Sequence, residues 1–228
     1  MTKGKDRYQD FLLLATGALL LIILVAAMII PKGNDVLYIN GNHTDFSDRL
    51  FTFITYGGDG KIFIPLILIT LFIRFSYSIV ALSAWIGHGV LCGVMKKLVF
   101  PTMLRPTATI DNALLHFIPG VDVHTNYSFP SGHTATAFCF AMILSLLLKR
   151  RSVFFVVTGS ALLVAYSRIY LLQHFLIDVA GGAFIGTAVA LTCWQLFERY
   201  GKSEWLSGKL EIQVKRNSTA SRVSTPRL

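Results

Sequence analysis

The sequence predicts an all-α fold: a polytopic membrane helical bundle of six transmembrane helices with both termini cytoplasmic. Three observations carry this. Hydrophobic residues make up 54% of the 228 positions and charged residues only 14%, too few for an ordinary soluble surface. The apolar residues gather in runs that approach or exceed the roughly 20 residues of a membrane crossing. Lys and Arg collect at the ends of alternate runs.

In chain order, the first run, 11–30, follows Lys3, Lys5 and Arg7 as a signal peptide would. Its core is longer than the roughly 7 to 15 residues of such a peptide and no small-residue cleavage site follows, so it reads as a retained span. Thr44 or Asp45 caps an amphipathic stretch, 46–54, expected along the outer interface. The run 62–73 is short and needs Lys61 and Arg74 to snorkel. Runs 78–94 and 133–148 are the third and fourth spans. The long loop between Pro106 and Phe129, with His116, Asp122 and His124, is expected to cap a site or touch a head group. The last run, 152–197, is about 45 residues long and must fold back on itself. The fold-back is placed at Arg168 to Asp178 on length and polarity, since no Pro or Gly marks it. Residues 1–198 thus form one membrane domain, and 199–228 a basic cytoplasmic tail read as disordered or lying on the anionic inner leaflet.

With the N-terminus inside, fourteen of the 21 Lys and Arg lie on the cytoplasmic side and seven outside. The net charge of +9 is therefore a topology signal, and no nucleic-acid partner is needed to explain it. Cys92, Cys139 and Cys193 lie within apolar runs without C-x-x-C spacing, which suggests neither a disulfide framework nor a zinc site. His88 reads as an interior residue, and Trp194 and Trp205 as an inner aromatic belt.

Polar residues inside the apolar runs are costly. Arg168 and Asp178 would each cost roughly 2.5 to 3.5 kcal/mol at a helix centre. His174 and Asp178, four apart, share a helix face, where the carboxylate can hold one ring nitrogen and leave the other as a lone pair. The plain alternative is a polar clamp between helices. In "NYSFPSGH", Pro130 suits a first helical turn, and the helix beginning near Ser131 points its free amides outward. Gly132 allows close approach, Ser131 adds a hydroxyl and His133 stands beside them; alternatively this is no more than a capped helix start. Lys96, Lys97, Arg105 and Pro106 form a third cluster, which plain interfacial anchoring would also explain. The topology puts all three clusters on one side of the membrane, a set of groups suited to a phosphate dianion.

These residues resemble the type 2 phosphatidic acid phosphatase superfamily, membrane branch, with its signature K-x6-RP, PSGH and SR-x5-H-x3-D. Pro130-Ser131-Gly132-His133 and Ser167-Arg168 with His174 and Asp178 match without a gap. The first part departs: seven residues separate Lys97 from Arg105, one more than the pattern. Lys97 is taken as the phosphate-binding lysine, with Lys96 in reserve. The resemblance implies a metal-independent hydrolase without cofactor, working through a phosphohistidine at the extracytoplasmic face of a bacterial inner membrane. It implies His174 as nucleophile, Asp178 behind it and His133 as proton donor. Lys97, Arg105, Ser131, Gly132 and Arg168 would bind phosphate. Opposite protonation of the two imidazoles implies a bell-shaped pH profile.

The implied substrate is a lipid phosphate or diphosphate, such as undecaprenyl diphosphate, lipid A 1-phosphate, phosphatidylglycerol phosphate or phosphatidate. A lipid-to-lipid phosphotransferase with the same intermediate, and a non-catalytic anion or proton conductor lined by Arg168, His174 and Asp178, are the alternatives. Nothing in the sequence speaks to oligomeric state.

Overall fold

A computed structural model describes residues 3–200 together with Gly208 and Leu210. Among these there are eight α-helices and no strand. They are α1 (Lys3–Ile29), α2 (Asn34–Gly41), α3 (Asp45–Ile54), α4 (Phe63–Leu71), α5 (Phe75–Val94), α6 (Gly132–Leu148), α7 (Arg151–Tyr170) and α8 (Leu176–Tyr200).

Four helical stretches are long and apolar enough to cross a membrane: Arg7–Ile29, Phe75–Val99, Arg151–Tyr170 and Leu176–Arg199. A fifth is possible if Asp45–Gly58 and Gly60–Leu71, which meet at a 60° bend, count as one. The expected span at 62–73 is therefore only the second limb of a bent pair. Its first limb, α3, starts with a reciprocal box in which the Thr44 hydroxyl accepts from Ser47 N–H and Ser47 Oγ accepts from Thr44 N–H.

α6, at 17 residues, is about 26 Å long, shorter than the other four. It is also the most enclosed: Thr134, Ala135, Cys139, Ile143 and Ser145 are all fully buried on different sides of it. A helix walled in by protein need not match the bilayer's thickness itself. α5, α7 and α8 pack around it, and two glycines of α8 set the closeness of that contact. A Cβ on Gly182 would collide with the Ser131 carbonyl oxygen, and one on Gly186 with that of Ala135.

The fold-back between α7 and α8 falls at residues 171–175, where length and polarity placed it. It is made without glycine. Leu172 takes the left-handed region at φ 59 and is 1% exposed. That conformation costs a leucine roughly 1–2 kcal/mol, offset here by burial of its side chain.

Two placements are corrected. Pro130 precedes the cap of α6 instead of occupying its first turn, because Ser131 is the N-cap. His174 lies in the turn, two residues ahead of α8, and not on the helix. In the tail, the Gly208 carbonyl accepts from Phe75 N–H and Leu210 N–H donates to the Leu71 carbonyl, both at 2.9 Å, across the α4–α5 corner. The rest of 201–228, with Trp205 and the expected disorder, lies outside the described residues.

Candidate active site

α5 carries its inward face at four-residue intervals: His88, Cys92, then Lys96. At Met95–Val99 the helix loosens to π form, closed by Phe100 N–H on the Met95 carbonyl at 2.8 Å. This register brings Lys96 inward, half-buried, with Nζ donating to the Tyr127 carbonyl at 3.1 Å. Lys97, expected to bind phosphate, is exposed and does not line the cavity described below. The reserve lysine occupies the place.

Arg105 is 7% exposed. Its Nε donates to the Asn126 carbonyl at 2.9 Å and its Nη1 to Gln173 Oε1 at 2.9 Å. Gln173 in turn donates from Nε2 to the Asp122 carbonyl at 2.8 Å, fixing the long loop to the α7–α8 turn. Arg168, in the last turn of α7, donates from Nη1 to Thr55 Oγ1 at 2.6 Å, while its buried Nε has no partner.

Ser131 departs from expectation. It is fully buried, and its Oγ accepts from the Thr134 N–H and hydroxyl, so it caps α6 and does not line the cavity. At Gly132 an added Cβ would meet nothing within 4 Å, the room expected of a ligand-facing glycine.

His174 is 2% exposed, and its Nδ1 lies 3.4 Å from Asp178 Oδ2 without a formed hydrogen bond. That oxygen already accepts from the Ser128 hydroxyl and, at 2.9 Å, from Phe175 N–H, which caps α8. The Asp178 carbonyl accepts from Ser131 N–H at 2.9 Å, tying the start of α6 to the start of α8. Burial first, and then the cations Arg105, Arg168 and Lys96, hold the His174 pKa well below its usual value, so the ring is a neutral base.

Lys96, Arg105, Gly132, His133, Arg168 and His174 thus line one cavity of about 330 Å³. The two histidines, 41 positions apart in sequence, face the same space. Asp122 and His124 of the long loop, with Gly120 and Val121, form part of its wall, as a capping loop should. Among the described residues no group of three or more His, Cys, Asp or Glu side chains could hold a metal ion.

Sequence reasoning missed the contribution of the segment before α4. Thr52, Thr55 and Tyr56 line the cavity, and Gly58 packs so closely that a Cβ there would stand 2.7 Å from the His133 Cβ. The Gly57-Gly58 pair was the available signal. α2 was missed too. Asp35 Oδ2 accepts from Leu176 N–H, and Asn40 Nδ2 donates to the Tyr170 carbonyl at 3.0 Å, so α2 grips the His174 turn at both ends.

The PAP2 superfamily matches residues 75–202 of the chain. Phosphatidylglycerophosphatase B of Bacillus subtilis is 30% identical over 152 residues, 61% of this chain and 70% of that protein. Lipid A 4'-phosphatase of Porphyromonas gingivalis is 31% identical over 80 residues, 35% of this chain and 34% of that protein, so the chain spans about a third of its length. The crystal structure of Aquifex aeolicus LpxE superposes with a TM-score of 0.62 at 28% identity, covering 70% of this chain and 92% of that one. A transmembrane PAP2-type phosphatidylglycerolphosphate phosphatase from Bacillus subtilis shares the fold, with a TM-score of 0.59 at 23% identity over 81% of this chain and 96% of that one.

Proposed function

We propose that this chain, which belongs to the PAP2 superfamily, is a membrane phosphatase that hydrolyses a lipid phosphate or diphosphate through a phosphohistidine. The observation that carries this is the electrostatics of the cavity. Lys96, Arg105 and Arg168 hydrogen-bond only neutral oxygens, and among the described residues no carboxylate lies within ion-pair distance of any of them. Three cations gathered at one cavity, none of them held in an ion pair, suit a phosphoryl dianion.

In the proposed reaction His174 Nε2, the nitrogen away from Asp178, attacks phosphorus. As the N–P bond forms, the bond to the leaving oxygen breaks and that oxygen takes a proton from His133. Asp178, 3.4 Å from Nδ1, balances the positive charge that develops on the ring. His133 then accepts a proton from water, which attacks phosphorus and breaks the N–P bond, returning neutral His174. Lys96, Arg105, Arg168 and the Gly132 amide hold the non-bridging oxygens throughout. The reading includes six crossings with both termini cytoplasmic, and a cavity on the extracytoplasmic side of a bacterial inner membrane. The distribution of Lys and Arg supports that orientation.

The test is phosphate release from a panel of lipid phosphates and diphosphates in detergent, with chelator present, by wild type and His174→Ala. Wild type should release phosphate and become labelled by radioactive substrate in an acid-labile form, and the variant should do neither. Equal release by the variant, or loss of wild-type activity with chelator, overturns the mechanism.

A further inference from the structure

The residues leading into Phe129 each commit one oxygen to the site. The Thr125 carbonyl accepts from Arg105 N–H at 2.8 Å and the Asn126 carbonyl from Arg105 Nε. The Tyr127 carbonyl accepts from Lys96 Nζ, and the Ser128 hydroxyl donates to Asp178 Oδ2. Tyr127 adopts the left-handed region at φ 56 with its ring exposed, a conformation that an aromatic residue keeps only where its surroundings hold it. Ser128 is 1% exposed, is anchored by its N–H on the Met103 carbonyl at 2.9 Å, and does not line the phosphoryl cavity. Whatever its hydroxyl contributes to the chemistry therefore passes through Asp178.

Asp178 Oδ2 is a crowded oxygen. It accepts from the Ser128 hydroxyl and from Phe175 N–H, and it is also the oxygen 3.4 Å from His174 Nδ1, which is buried and has no hydrogen-bond partner. A carboxylate oxygen offers about two lone-pair directions, and both are taken. The imidazole thus stands beside a carboxylate without being bonded to it. A tight bond from Nδ1–H to a carboxylate would favour the doubly protonated ring, which has no lone pair left on Nε2. The cations Lys96 from α5, Arg105 from the loop and Arg168 from α7 act in the opposite sense, with His133 of α6 beside them. Farther round, Lys32 lies 4.5 Å over the Phe175 ring, Asp35 accepts from Leu176 N–H, and Asp122 and His124 stand in the cavity wall. Asp178 is the carboxylate within ion-pair distance of the ring, so the strength of that contact decides how readily the ring protonates. A serine hydroxyl, unlike a backbone N–H, is free to rotate. It can release the oxygen once attack on phosphorus makes the ring cationic, so that the full attraction is realised only then.

We propose that Ser128 is a positioning residue for the nucleophile: its hydroxyl occupies the Asp178 oxygen that faces His174, keeps the carboxylate from bonding Nδ1–H in the resting enzyme, and yields that oxygen when the ring becomes charged. The inference rests on the phosphatase reading above and extends it to a residue outside the matched motifs.

Phosphate release is followed from about pH 4 to 9 for the lipid phosphate that wild type turns over fastest, with wild type, Ser128→Ala and Ser128→Thr. The substrate's own ionisation is common to all three, so a displacement between their profiles reports the enzyme. In Ser128→Ala the acid limb of kcat/KM should move up by about one pH unit. Release then falls about tenfold on that limb and less than about threefold at pH 8, with KM at pH 8 within about twofold of wild type. Ser128→Thr, which keeps the hydroxyl, should return the limb to its wild-type position. Ser128→Cys, of similar bulk and with a weaker donor, replaces the alanine variant if that one does not fold. An unmoved limb, or an equal loss at every pH as a merely structural residue would give, overturns the inference and leaves the phosphatase reading intact. Release from none of the lipids by wild type overturns the phosphatase reading. The inference is then decided without turnover, by NMR titration of the His174 ring in the full chain in detergent, assigned by its absence in His174→Gln. A midpoint about one unit higher in Ser128→Ala supports it, and an unchanged midpoint overturns it.

Discussion

Gly186→Ala tests whether the packing of α8 on α6 sets the geometry of the cavity. The added methyl would collide with the Ala135 carbonyl oxygen and stand 2.9 Å from both the Ala135 carbonyl carbon and the Cys139 nitrogen. These are backbone atoms of α6, so no rotamer change relieves the contact. Restoring ordinary van der Waals separation needs a displacement of about 1 Å between the helices. Overpacking of this kind costs about 1–3 kcal/mol, opposed by about 1 kcal/mol of improved helix propensity. The net expectation is a loss of up to about 2 kcal/mol, read as a lower unfolding temperature in detergent. Activity should suffer more than stability. Ala135 is two residues from His133, whereas His174 is held by the α8 side of the contact, so the shift acts directly on the spacing of the two imidazoles. A misplacement near 1 Å costs about 100-fold in rate. Gly159→Ala in α7, where an added Cβ meets nothing within 4 Å, is the control and should leave rate unchanged and stability equal or higher. Wild-type unfolding temperature and phosphate release in Gly186→Ala would refute the reasoning.

Lys96→Met should reduce kcat/KM for a lipid phosphate by about 100-fold, while Lys97→Met, altering an exposed residue outside the cavity, should change it less than about threefold; the reverse order would restore the lysine first favoured on spacing. The depressed pKa of His174 also predicts a slope of stability with pH. Below its usual value of 6.5 the unfolded chain takes up a proton there that the folded state refuses, so the stability is full above that pH and falls as pH drops beneath it. The unfolding temperature of wild type should therefore fall between about pH 7.5 and 5, and His174→Gln should flatten part of that slope; parallel slopes would count against a buried neutral imidazole.

What could be read from sequence was the chemistry written in contiguous or helix-spaced motifs. Gly132-His133 and Arg168, His174 and Asp178 all arrive at one place because each stands at or beside a helix end. Helix ends are marked by polarity in an otherwise apolar chain. What could not be read depended on local backbone irregularity. Lys96 continues the four-residue spacing of His88 and Cys92, whereas a count of residues back from Arg105 assumes regular geometry that the π stretch at Met95–Val99 lacks. The α7–α8 turn uses Leu172 at positive φ, so no glycine announced it. Ser131 is a helix cap, a use of serine that sequence cannot separate from ligand binding. The bent pair α3–α4 hid because each limb alone is too short for a span.

The two regions of the chain divide the work differently from how their motifs suggest. The superfamily match begins at residue 75, and every group proposed to touch the phosphoryl oxygens or transfer a proton lies beyond it. Yet the residues before 75 are not a passive anchor. Thr55 holds the Arg168 guanidinium, Gly58 packs on His133, and Asp35 with Asn40 fixes the His174 turn from both sides. The same segment builds a cleft beside the cavity from Asp45, Arg49 and Thr52. Phosphoryl chemistry requires a fixed set of charges, which constrains the later helices tightly. The space those charges face is also bounded from before residue 75, by Thr52, Thr55 and Tyr56. Gly58→Ala, whose methyl would press on the His133 Cβ, should therefore lower phosphate release from every lipid phosphate, as substitutions at the ends of α5 to α8 should.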